Sequence, residues 1–419
     1  MPTLTATGKG ISENQRHFNA RVLFVTEVFP PTIGGSGAVT LAIANAFPNH
    51  VSVVAPRMME EAKSIAEWEQ HDAQFPFKTL RVYSFHENVR GFSSRVFRMF
   101  YDKLWAHPRV KRDLRRLLGS HSFDVICLNS IAYCSWIPAI LKQINPGLKT
   151  IIYSHGEEWS NISQAHEGSH IFQSLSKTDA FVAVSSYTKG RVVSYGIPPE
   201  RVHVINNGVD LNRFSPGPAH PELPARWGVE GRPIILSVAR LVNHKGHDTL
   251  ISAMPAILER VPEAVLVIVG DGSEGPRLRA LVKQMHLQAS VIFTGKVSND
   301  ELLAWYRTAD LYILANRTIE GGDAEGFGLV FLEAGACGLP VIGGRVGGVP
   351  DAIRDGETGF LIDGRSTTEI AEACLRLLLD HELRATMGCN GRAHALRNSW
   401  QQQASKFLCL CDSLTSNLT

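Results

Sequence analysis

Short apolar segments alternate with helix-length segments along the chain, in two successive series. The apolar segments are three to six residues long, rich in β-branched residues and apolar on both faces. That composition is typical of strands in a parallel sheet that is covered by helices on both sides. The alternation predicts an α/β protein built from two doubly wound units. The predicted strands are 21–26, 51–55, 123–127, 150–153, 180–183 and 202–205 in the first series, and 233–237, 264–269, 290–293, 310–314 and 340–342 in the second; the clearest predicted helices are 248–260, 299–308 and 367–379.

A proline-rich stretch separates the two series. Residues 215–224 contain four prolines, which argues against a helix or a central strand and indicates a stiff linker, because proline fixes φ and removes a backbone donor. Ligands of doubly wound sheets bind outside the carboxyl ends of the strands, so the cleft between the units is the predicted substrate site. The predicted organisation is a disordered tail (1–17), an N-terminal domain (18–214), a linker (215–226), a C-terminal domain (227–395) and a C-terminal helix (396–419).

Composition excludes several classes of protein. A formal net charge of +2 over 419 residues argues against a nucleic-acid partner. No apolar run is long enough to cross a bilayer, and the polar first residues lack the apolar region of a signal peptide. The seven cysteines are scattered without zinc-site spacing, which favours buried thiols in a reducing compartment. We therefore expect a cytoplasmic protein.

Two segments have the chemistry of a phosphate site. Gly34 and Gly35 follow the first strand and precede a helix predicted to begin near Val39, where backbone N–H groups could bind phosphate. The spacing is not the dinucleotide fingerprint, and a plain tight turn is the alternative. Arg240 and Lys245 follow the first strand of the second series, where two cations suit a diphosphate; a solvated loop is the alternative.

Two carboxylates, Glu325 and Glu333, bracket the segment Gly326-Phe327-Gly328-Leu329 and the apolar residues after it. We predict that Glu325 lies in the loop before a helix and points into the cleft, while Glu333 lies one to two turns along that helix. Carboxylates accept paired hydrogen bonds from vicinal hydroxyls, which suits sugar and ribose recognition. For Glu333 alone, a salt bridge on the helix face is the alternative.

The segment from Glu325 to Glu333 resembles the E-x(7)-E motif of retaining glycosyltransferases with the GT-B fold, especially glycosyltransferase family 4. Residues 207–214, 269–272, 347–350 and 355–360 are similar to other recurring segments of that family, and their order is kept from about residue 21 to 395. Residues 270–277 depart from it by being slightly longer than the common form. The resemblance implies two Rossmann-like domains facing across a cleft, with 18–214 on the acceptor side and 227–395 binding the nucleotide sugar. It also implies a hexosyltransferase that uses a nucleotide-sugar donor.

The resemblance also implies roles for individual residues. Arg240 and Lys245 would hold the donor diphosphate, with Gly34 and Gly35 contacting phosphate from the other domain. Glu325 would bind the transferred sugar, Glu333 the ribose, and His155 would face the donor sugar. The implied catalytic set is His155, Arg240, Lys245 and Glu325; the implied donor-binding set adds Gly34, Gly35, Lys296, Val297, Gly326, Phe327, Gly328, Leu329 and Glu333.

The implied chemistry is a same-face substitution in which the leaving diphosphate takes the acceptor's proton. Arg240, Lys245 and the N–H groups near Gly35 would stabilise the charge that grows on phosphate. The chain contains no Asp-x-Asp, so we expect neither a metal nor another cofactor. The C-terminal helix is implied to cross back to the N-terminal domain.

Donor and acceptor are less constrained. Residues 155–158 and 317–326 look most like bacterial GDP-mannose-dependent α-mannosyltransferases, with UDP-glucose or UDP-N-acetylglucosamine as the alternative donors. Residues 90–118 carry nine Arg or Lys and several aromatic residues. This segment could lie on the inner face of an anionic membrane and meet a lipid-linked acceptor, or it could pack its apolar face into the domain core. A glycan acceptor is also open.

Other classes of protein with this fold predict different behaviour. A nucleotide-sugar epimerase should consume donor without an acceptor. A non-catalytic sugar-nucleotide binder would ordinarily have lost Glu325 or Lys245, and both are present. A phosphorylase would need a longer chain with a pyridoxal-phosphate lysine site. The transferase is therefore the favoured function.

Overall fold

The computed structural model describes residues 17–31, 35–57, 65–83, 107–129, 137–156, 158–159, 175–319 and 324–416. Gly34, nearly all of the predicted tail over 1–17, and residues 90–106 of the basic segment lie outside these ranges. No helix in the ranges above is long and apolar enough to cross a membrane.

The N-terminal half contains a parallel sheet with seven strands among the described residues. The strands are Val22–Thr26 (β1), Val51–Arg57 (β2), Lys78–Tyr83 (β3), Val125–Asn129 (β4), Lys149–Ser154 (β5), Ala180–Ala183 (β6) and Val202–Val204 (β7). Their order in the sheet is β3-β2-β1-β4-β5-β6-β7, and each neighbouring pair runs parallel. Strands β1, β4 and β6 are buried throughout, as their apolar residues on both faces require.

The C-terminal half repeats the arrangement with six strands in the part of the chain that is described. The strands are Ile234–Val238 (β8), Val265–Val269 (β9), Val291–Gly295 (β10), Leu311–Leu314 (β11), Val341–Gly344 (β12) and Gly359–Ile362 (β13). Their order in the sheet is β10-β9-β8-β11-β12-β13, again parallel throughout.

Helices cover both sheets and connect their strands. Among the described residues of the N-terminal half, the α-helices are Gly35–Ala46 (α1), Ile65–Asp72 (α2), His107–Ser120 (α3), Ile137–Ile144 (α4) and Ser186–Ser194 (α5). After them come Leu223–Arg226 (α6), His247–Arg260 (α7), Gly275–Gln284 (α8), Asn299–Thr308 (α9), Leu329–Ala336 (α10), Val349–Ala352 (α11), Thr367–Leu379 (α12), His381–Leu396 (α13) and Trp400–Ser416 (α14).

The prediction of two doubly wound units is confirmed, but it missed two strands. β3 and β13 are the last strands on their edges of the two sheets. An edge strand needs fewer apolar residues, and β3 carries Lys78 and Arg81 among its six residues. β13 is only four residues long and begins with Gly359, so it resembles a loop.

Two local predictions were wrong. Helix α1 begins at Gly35, four residues before the predicted start near Val39, so Gly35 itself lies in the first turn. The proline-rich linker contains the helix α6, with Pro224 in its first turn. Proline is compatible with that position because the first N–H groups of a helix have no intrahelical acceptor.

The C-terminal helix α14 packs on the N-terminal half. Phe407 of α14 lies 5.2 Å from Phe24 of β1, measured between ring centroids. The carboxylate of Asp412 accepts hydrogen bonds from the backbone N–H groups of Ala20 (2.8 Å) and Asn19 (3.1 Å). The segment before α14 also pairs with the chain leaving the N-terminal half, since Val209 N donates to Asn398 O at 2.9 Å. Helix α14 therefore ties the end of the chain to its beginning.

Candidate active site

The strand order places a crevice at the same point of both sheets. In each sheet the chain runs outward from the first strand, β1 or β8, and then returns to its other side to form β4 or β11. Ligands of doubly wound sheets bind outside the carboxyl ends of the strands at this switch point. Thr26 and Asn129 end β1 and β4 in the first sheet. Arg240 and Asn316 follow β8 and β11 in the second by two residues each.

Lys245 and Glu325 form an ion pair at the carboxyl edge of the second sheet. Lys245 Nζ contacts Glu325 Oε2, and the two side chains are only 14% and 16% exposed. Asn316 Nδ2 donates to the same oxygen at 3.2 Å. Burial raises the pKa of Glu325, but the charge of Lys245 and its hydrogen bond outweigh burial and hold that pKa below its usual range. Glu325 is therefore a carboxylate at neutral pH.

Close backbone packing fixes Lys245 in place. Lys245 is the last residue of the 3₁₀ turn Asn243–Lys245, and Gly246 follows with φ +71° in the left-handed region. A Cβ on Gly246 would lie 1.9 Å from Ala315 O, so only glycine permits this approach between the loop after β8 and the end of β11. Lys245 thus stands at the N-terminus of α7, a position with positive electrostatic potential.

Glu325 lies in the loop before α10, as predicted. Helix α10 begins at Leu329, and Gly328 caps it with φ +92°. The Glu325 carbonyl accepts a hydrogen bond from Gly348 N at 2.8 Å, which ties this loop to the segment before α11. The side chain of Phe327 is buried beneath the loop. Gly326, Phe327, Gly328 and Leu329 therefore shape the backbone that presents Glu325.

Glu333 lies on α10 and contacts the domain interior. Its Oε2 accepts a hydrogen bond from the buried Tyr306 hydroxyl at 3.0 Å. Burial raises the pKa of Glu333, although the Tyr306 hydrogen bond and the charge of Arg213 act in the opposite direction. The predicted alternative of a salt bridge on the helix face is wrong for the described structure, because the hydrogen-bond partner is a tyrosine. The ribose role of Glu333 stays a prediction.

His155 follows β5 at the facing edge of the first sheet. Its Nε2 lies 2.7 Å from Asn129 Oδ1, and its backbone N–H donates to Glu158 Oε1 at 2.8 Å. The ring stacks on Tyr153, with centroids 5.5 Å apart and 25° between the planes. Burial lowers the pKa of His155 to about 4, so the imidazole is neutral at neutral pH.

The two domains meet where these groups lie. A Cβ on Gly326 would fall 2.2 Å from the His155 carbonyl oxygen, so the loops that carry Glu325 and His155 are in backbone contact. Nearby, Ser186 Oγ of α5 donates to Asp351 Oδ1 of α11 at 2.9 Å. The structure therefore brings the loop of His155 against the loop of Glu325, which is paired with Lys245.

The other predicted residues occupy more peripheral positions. Arg240 is exposed just beyond β8. Lys296 is exposed and Val297 is half-buried after β10, which is separated from β8 by β9. Two strand spacings correspond to roughly 10 Å, about the length of a nucleoside. Gly35 is exposed in the first turn of α1, and Gly34 lies outside the described residues.

Sequence reasoning missed two residues of the site, Asn129 and Asn316. Both are almost fully buried, and each lies at or just after the end of a strand that borders the switch point. Polar residues at the carboxyl end of an apolar strand are the signal that could have identified them. The predicted strand 123–127 stopped two residues short of Asn129, which concealed its position.

Comparisons with known proteins agree with this geometry. A family model described as Glycosyltransferase Family 4 matches residues 33–213, and one described as Glycosyl transferases group 1 matches residues 220–394. The chain is 34% identical over 381 residues to the GDP-mannose-dependent alpha-(1-6)-phosphatidylinositol monomannoside mannosyltransferase of Mycobacterium tuberculosis, covering 89% of this chain and 93% of that protein. It is 30% identical over 394 residues to the monoacylated alpha-(1-6)-phosphatidylinositol monomannoside mannosyltransferase of Corynebacterium glutamicum, covering 91% and 95%.

Solved structures show the same fold. Anabaena HepE in complex with UDP superposes with a TM-score of 0.73 at 19% identity, covering 94% of this chain and 100% of that one. Sucrose-phosphate synthase from Thermosynechococcus elongatus gives a TM-score of 0.69 at 20% identity, covering 95% and 100%. Together with the family models and the relatives above, these structures show that the chain is a GT-B glycosyltransferase and belongs to glycosyltransferase family 4.

Proposed function

We propose that this enzyme transfers a mannosyl residue from GDP-mannose to a glycolipid acceptor. The proposal is supported by relatives at 30–34% identity that are named as GDP-mannose-dependent and that match this chain through both domains. The observation that carries it in this chain is the Lys245–Glu325 ion pair. The loop that holds Glu325 contacts the His155 loop through the backbone of Gly326. A fixed cation and a fixed carboxylate are what a negatively charged leaving group and a sugar with several hydroxyls require.

In this mechanism the bond between the anomeric carbon and the diphosphate oxygen breaks, and charge grows on the phosphate. Arg240 and Lys245 stabilise that charge, with the N–H groups of the first turn of α1 approaching from the other domain. An ammonium group has three donors, so Lys245 can keep Glu325 as a partner while it contacts phosphate. Glu325 accepts hydrogen bonds from hydroxyls of the transferred sugar.

The acceptor oxygen then bonds to the same face of the anomeric carbon, and its proton passes to a phosphate oxygen of the leaving GDP. Anomeric configuration is thereby retained, and no protein nucleophile is needed. We propose that the cationic side chains replace a metal ion in this role. Activity should therefore survive EDTA, and strict loss of activity that Mg²⁺ or Mn²⁺ restores would refute metal independence.

We further propose that the basic segment 90–118 meets an anionic membrane that presents the acceptor. In the described part of this segment, α3 buries Leu114 and exposes Arg112, Arg115 and Arg116. Each basic residue near an anionic surface contributes roughly 1 kcal/mol of attraction. Replacing these three arginines by glutamine should abolish co-sedimentation with phosphatidylserine vesicles at low salt while leaving nucleotide binding intact. Equal sedimentation of both proteins would refute the membrane role of α3.

The donor is tested by thermal unfolding with a panel of nucleotide sugars. A ligand at 100 times its Kd stabilises the folded protein by about 2.7 kcal/mol, so GDP-mannose should raise the Tm by several degrees. Lys245→Ala should abolish the shift. A Tm shift only with UDP-glucose or UDP-N-acetylglucosamine would be consistent with a transferase, but one whose donor is that UDP-sugar and not GDP-mannose. No shift with any nucleotide sugar would overturn the proposed donor site.

Catalysis is tested by incubating the enzyme with GDP-mannose and a phosphatidylinositol mannoside acceptor. We expect a mannosylated lipid, and GDP release that depends on the acceptor. Conversion of the donor sugar without acceptor would indicate an epimerase. Tight donor binding with no turnover, across glycolipid and soluble glycan acceptors, would indicate a non-catalytic binder.

A further inference from the structure

Asn129 joins the two elements of the first domain that face the cleft. It is the last residue of β4 and is only 2% exposed. One end of its amide contacts the carbonyl oxygen of Ser36, in the first turn of α1, at 2.7 Å. The other end contacts the ring of His155, after β5, also at 2.7 Å. Neither the donor-binding roles nor the catalytic roles assigned above include this residue.

The chemistry of these partners fixes which way the amide points. The carbonyl oxygen of Ser36 can only accept a hydrogen bond, so the amide atom facing it must be the NH₂ group. The amide oxygen therefore faces His155. An amide oxygen also only accepts, so the His155 nitrogen opposite it must carry a hydrogen.

Other contacts restrict the orientation of the His155 ring. It stacks on Tyr153, and the backbone of His155 is held by the carboxylate of Glu158. Rotating the ring by 180° would replace the Nε2–H donor with a carbon and leave the buried amide oxygen of Asn129 without its partner. A buried acceptor without a partner costs about 1–3 kcal/mol, which is enough to maintain one orientation.

We propose that Asn129 is a positioning residue that holds His155 in the Nε2–H tautomer, so that Nδ1 presents a lone pair. In neutral imidazole one nitrogen donates and the other accepts. His155 can then accept a hydrogen bond from a substrate hydroxyl through Nδ1, and it is not an acid at neutral pH. The substrate part of this inference rests on the proposed function, whereas the tautomer does not depend on it.

The tautomer is measured directly on the intact protein labelled with ¹⁵N-histidine. Long-range ¹H–¹⁵N correlations distinguish the two neutral tautomers by their nitrogen shifts, and the spectrum of His155→Gln assigns the His155 signals. We expect a single Nε2–H pattern for His155 from pH 5.5 to 8. An Nδ1–H pattern, or a mixture of both, would overturn the proposal. Because no donor is added, this result is independent of whether GDP-mannose is the substrate.

Substitution of Asn129 tests its role in holding the ring. Asn129→Asp loses the hydrogen bond to Ser36 O but keeps an oxygen acceptor toward Nε2–H. The tautomer should therefore persist, and the added charge should raise the pKa of His155 by one unit or more. Among the described residues, two other titratable groups contact this histidine, Tyr153 and Glu158, and both are unchanged in the variant. The acid limb of the activity profile should move to higher pH by the same amount. An unchanged His155 titration would overturn the role of Asn129.

Asn206→Asp is the matched control. The amide of Asn206 also donates to a backbone carbonyl, that of Val184 at 3.0 Å, but the described structure shows no histidine on its other end. This variant should leave the His155 titration in place. If it moved that titration as far as Asn129→Asp does, the effect would be one of general charge and the proposal would fail. If Asn129→Asp does not fold, the wild-type spectrum still decides the tautomer.

Discussion

The two edges of the cleft use different kinds of polar contact. The edge of the C-terminal sheet holds an ion pair, Lys245 with Glu325, and the pKa of Glu325 is lowered so that both groups stay charged. The edge of the N-terminal sheet holds a neutral network of Asn129 and His155, and burial lowers the pKa of His155 to about 4. The C-terminal edge therefore provides two fixed charges, whereas Asn129 and His155 at the N-terminal edge provide uncharged hydrogen-bonding groups in a fixed orientation.

The comparison shows why the two halves of one architecture are not interchangeable. Fixed charges in a partly buried site act strongly on a group whose charge changes during reaction. A network of neutral groups carries no net charge, so it can orient a sugar without adding a charge that opposes that of the phosphate. The following experiments test this division, from the largest expected effect to the smallest.

Removing one partner of the ion pair should have the largest effect. In Lys245→Met, Glu325 remains as a poorly exposed carboxylate without its cation, so we expect a loss of about 3 kcal/mol of unfolding free energy. Transferase activity should fall by at least about 100-fold. Urea unfolding and initial rates measure the two effects.

The double variant Lys245→Met/Glu325→Gln is the matched control. It should recover most of the lost stability, because no buried charge is left unpaired, while activity stays at the level of the single variant. Recovery of activity in the double variant would show that the pair is structural and that the charged edge has no role in catalysis.

Separating the two edges should have the next largest effect. In Gly326→Ala the new Cβ would lie 2.2 Å from the His155 carbonyl, so the loops must move apart. A displacement of about 1 Å at an active site can cost roughly 100-fold in rate, and we expect a loss of that order in kcat. In the control Gly190→Ala, on α5, an added Cβ has no atom within 4 Å. Equal kcat in both variants would show that the contact between the edges is dispensable.

Acid pH should weaken the fold through a histidine on each side of the cleft that the fold keeps neutral. Burial lowers the pKa of His155 to about 4. The pKa of His247 is also lowered to about 4, mainly by burial and to a smaller extent by the charge of Lys245. The unfolded chain protonates near pH 6.5, so this stability is present above pH 6.5 and is lost as the pH falls toward 4. Each histidine should contribute a slope of about 1.4 kcal/mol per pH unit in that window.

The slope is measured by urea unfolding between pH 7 and 5 for the wild type and His247→Leu. The variant should lose stability less steeply, by about 1.4 kcal/mol per pH unit, because one buried neutral histidine is gone. Identical slopes would show that His247 is not kept neutral by the fold. All carboxylates are common to both proteins, so their titration cancels in the comparison.

The smallest expected effect concerns the helix that ties the chain ends together. Asp412→Asn removes the charge from the hydrogen bonds to Ala20 N and Asn19 N, so we expect a loss of about 1 kcal/mol of unfolding free energy. Glu259→Gln, at an exposed site on α7, is the control for charge removal. Equal stability of Asp412→Asn and the control would show that this contact does not hold α14.

Much of this organisation could be predicted from local sequence. The helices 299–308 and 367–379 match their predicted limits, because their caps and apolar periodicity are local signals. The loop position of Glu325 follows from the glycines that precede α10. The edge strands β3 and β13 could not be predicted in the same way, since an edge position relaxes the apolar pattern that marks a strand.

The chain's sequence by itself determined the two parallel sheets, the family, and the types of residue that stand at the carboxyl ends of the strands. Only the tertiary structure decided which of these residues meet. Lys245 and Glu325 are 80 residues apart, and Asn129 and His155 are 26 apart. The first pair forms because strand order brings the ends of the non-consecutive strands β8 and β11 together, whereas the second pair lies at the ends of the consecutive strands β4 and β5. Strand order depends on how whole units pack, which no local pattern of residues specifies.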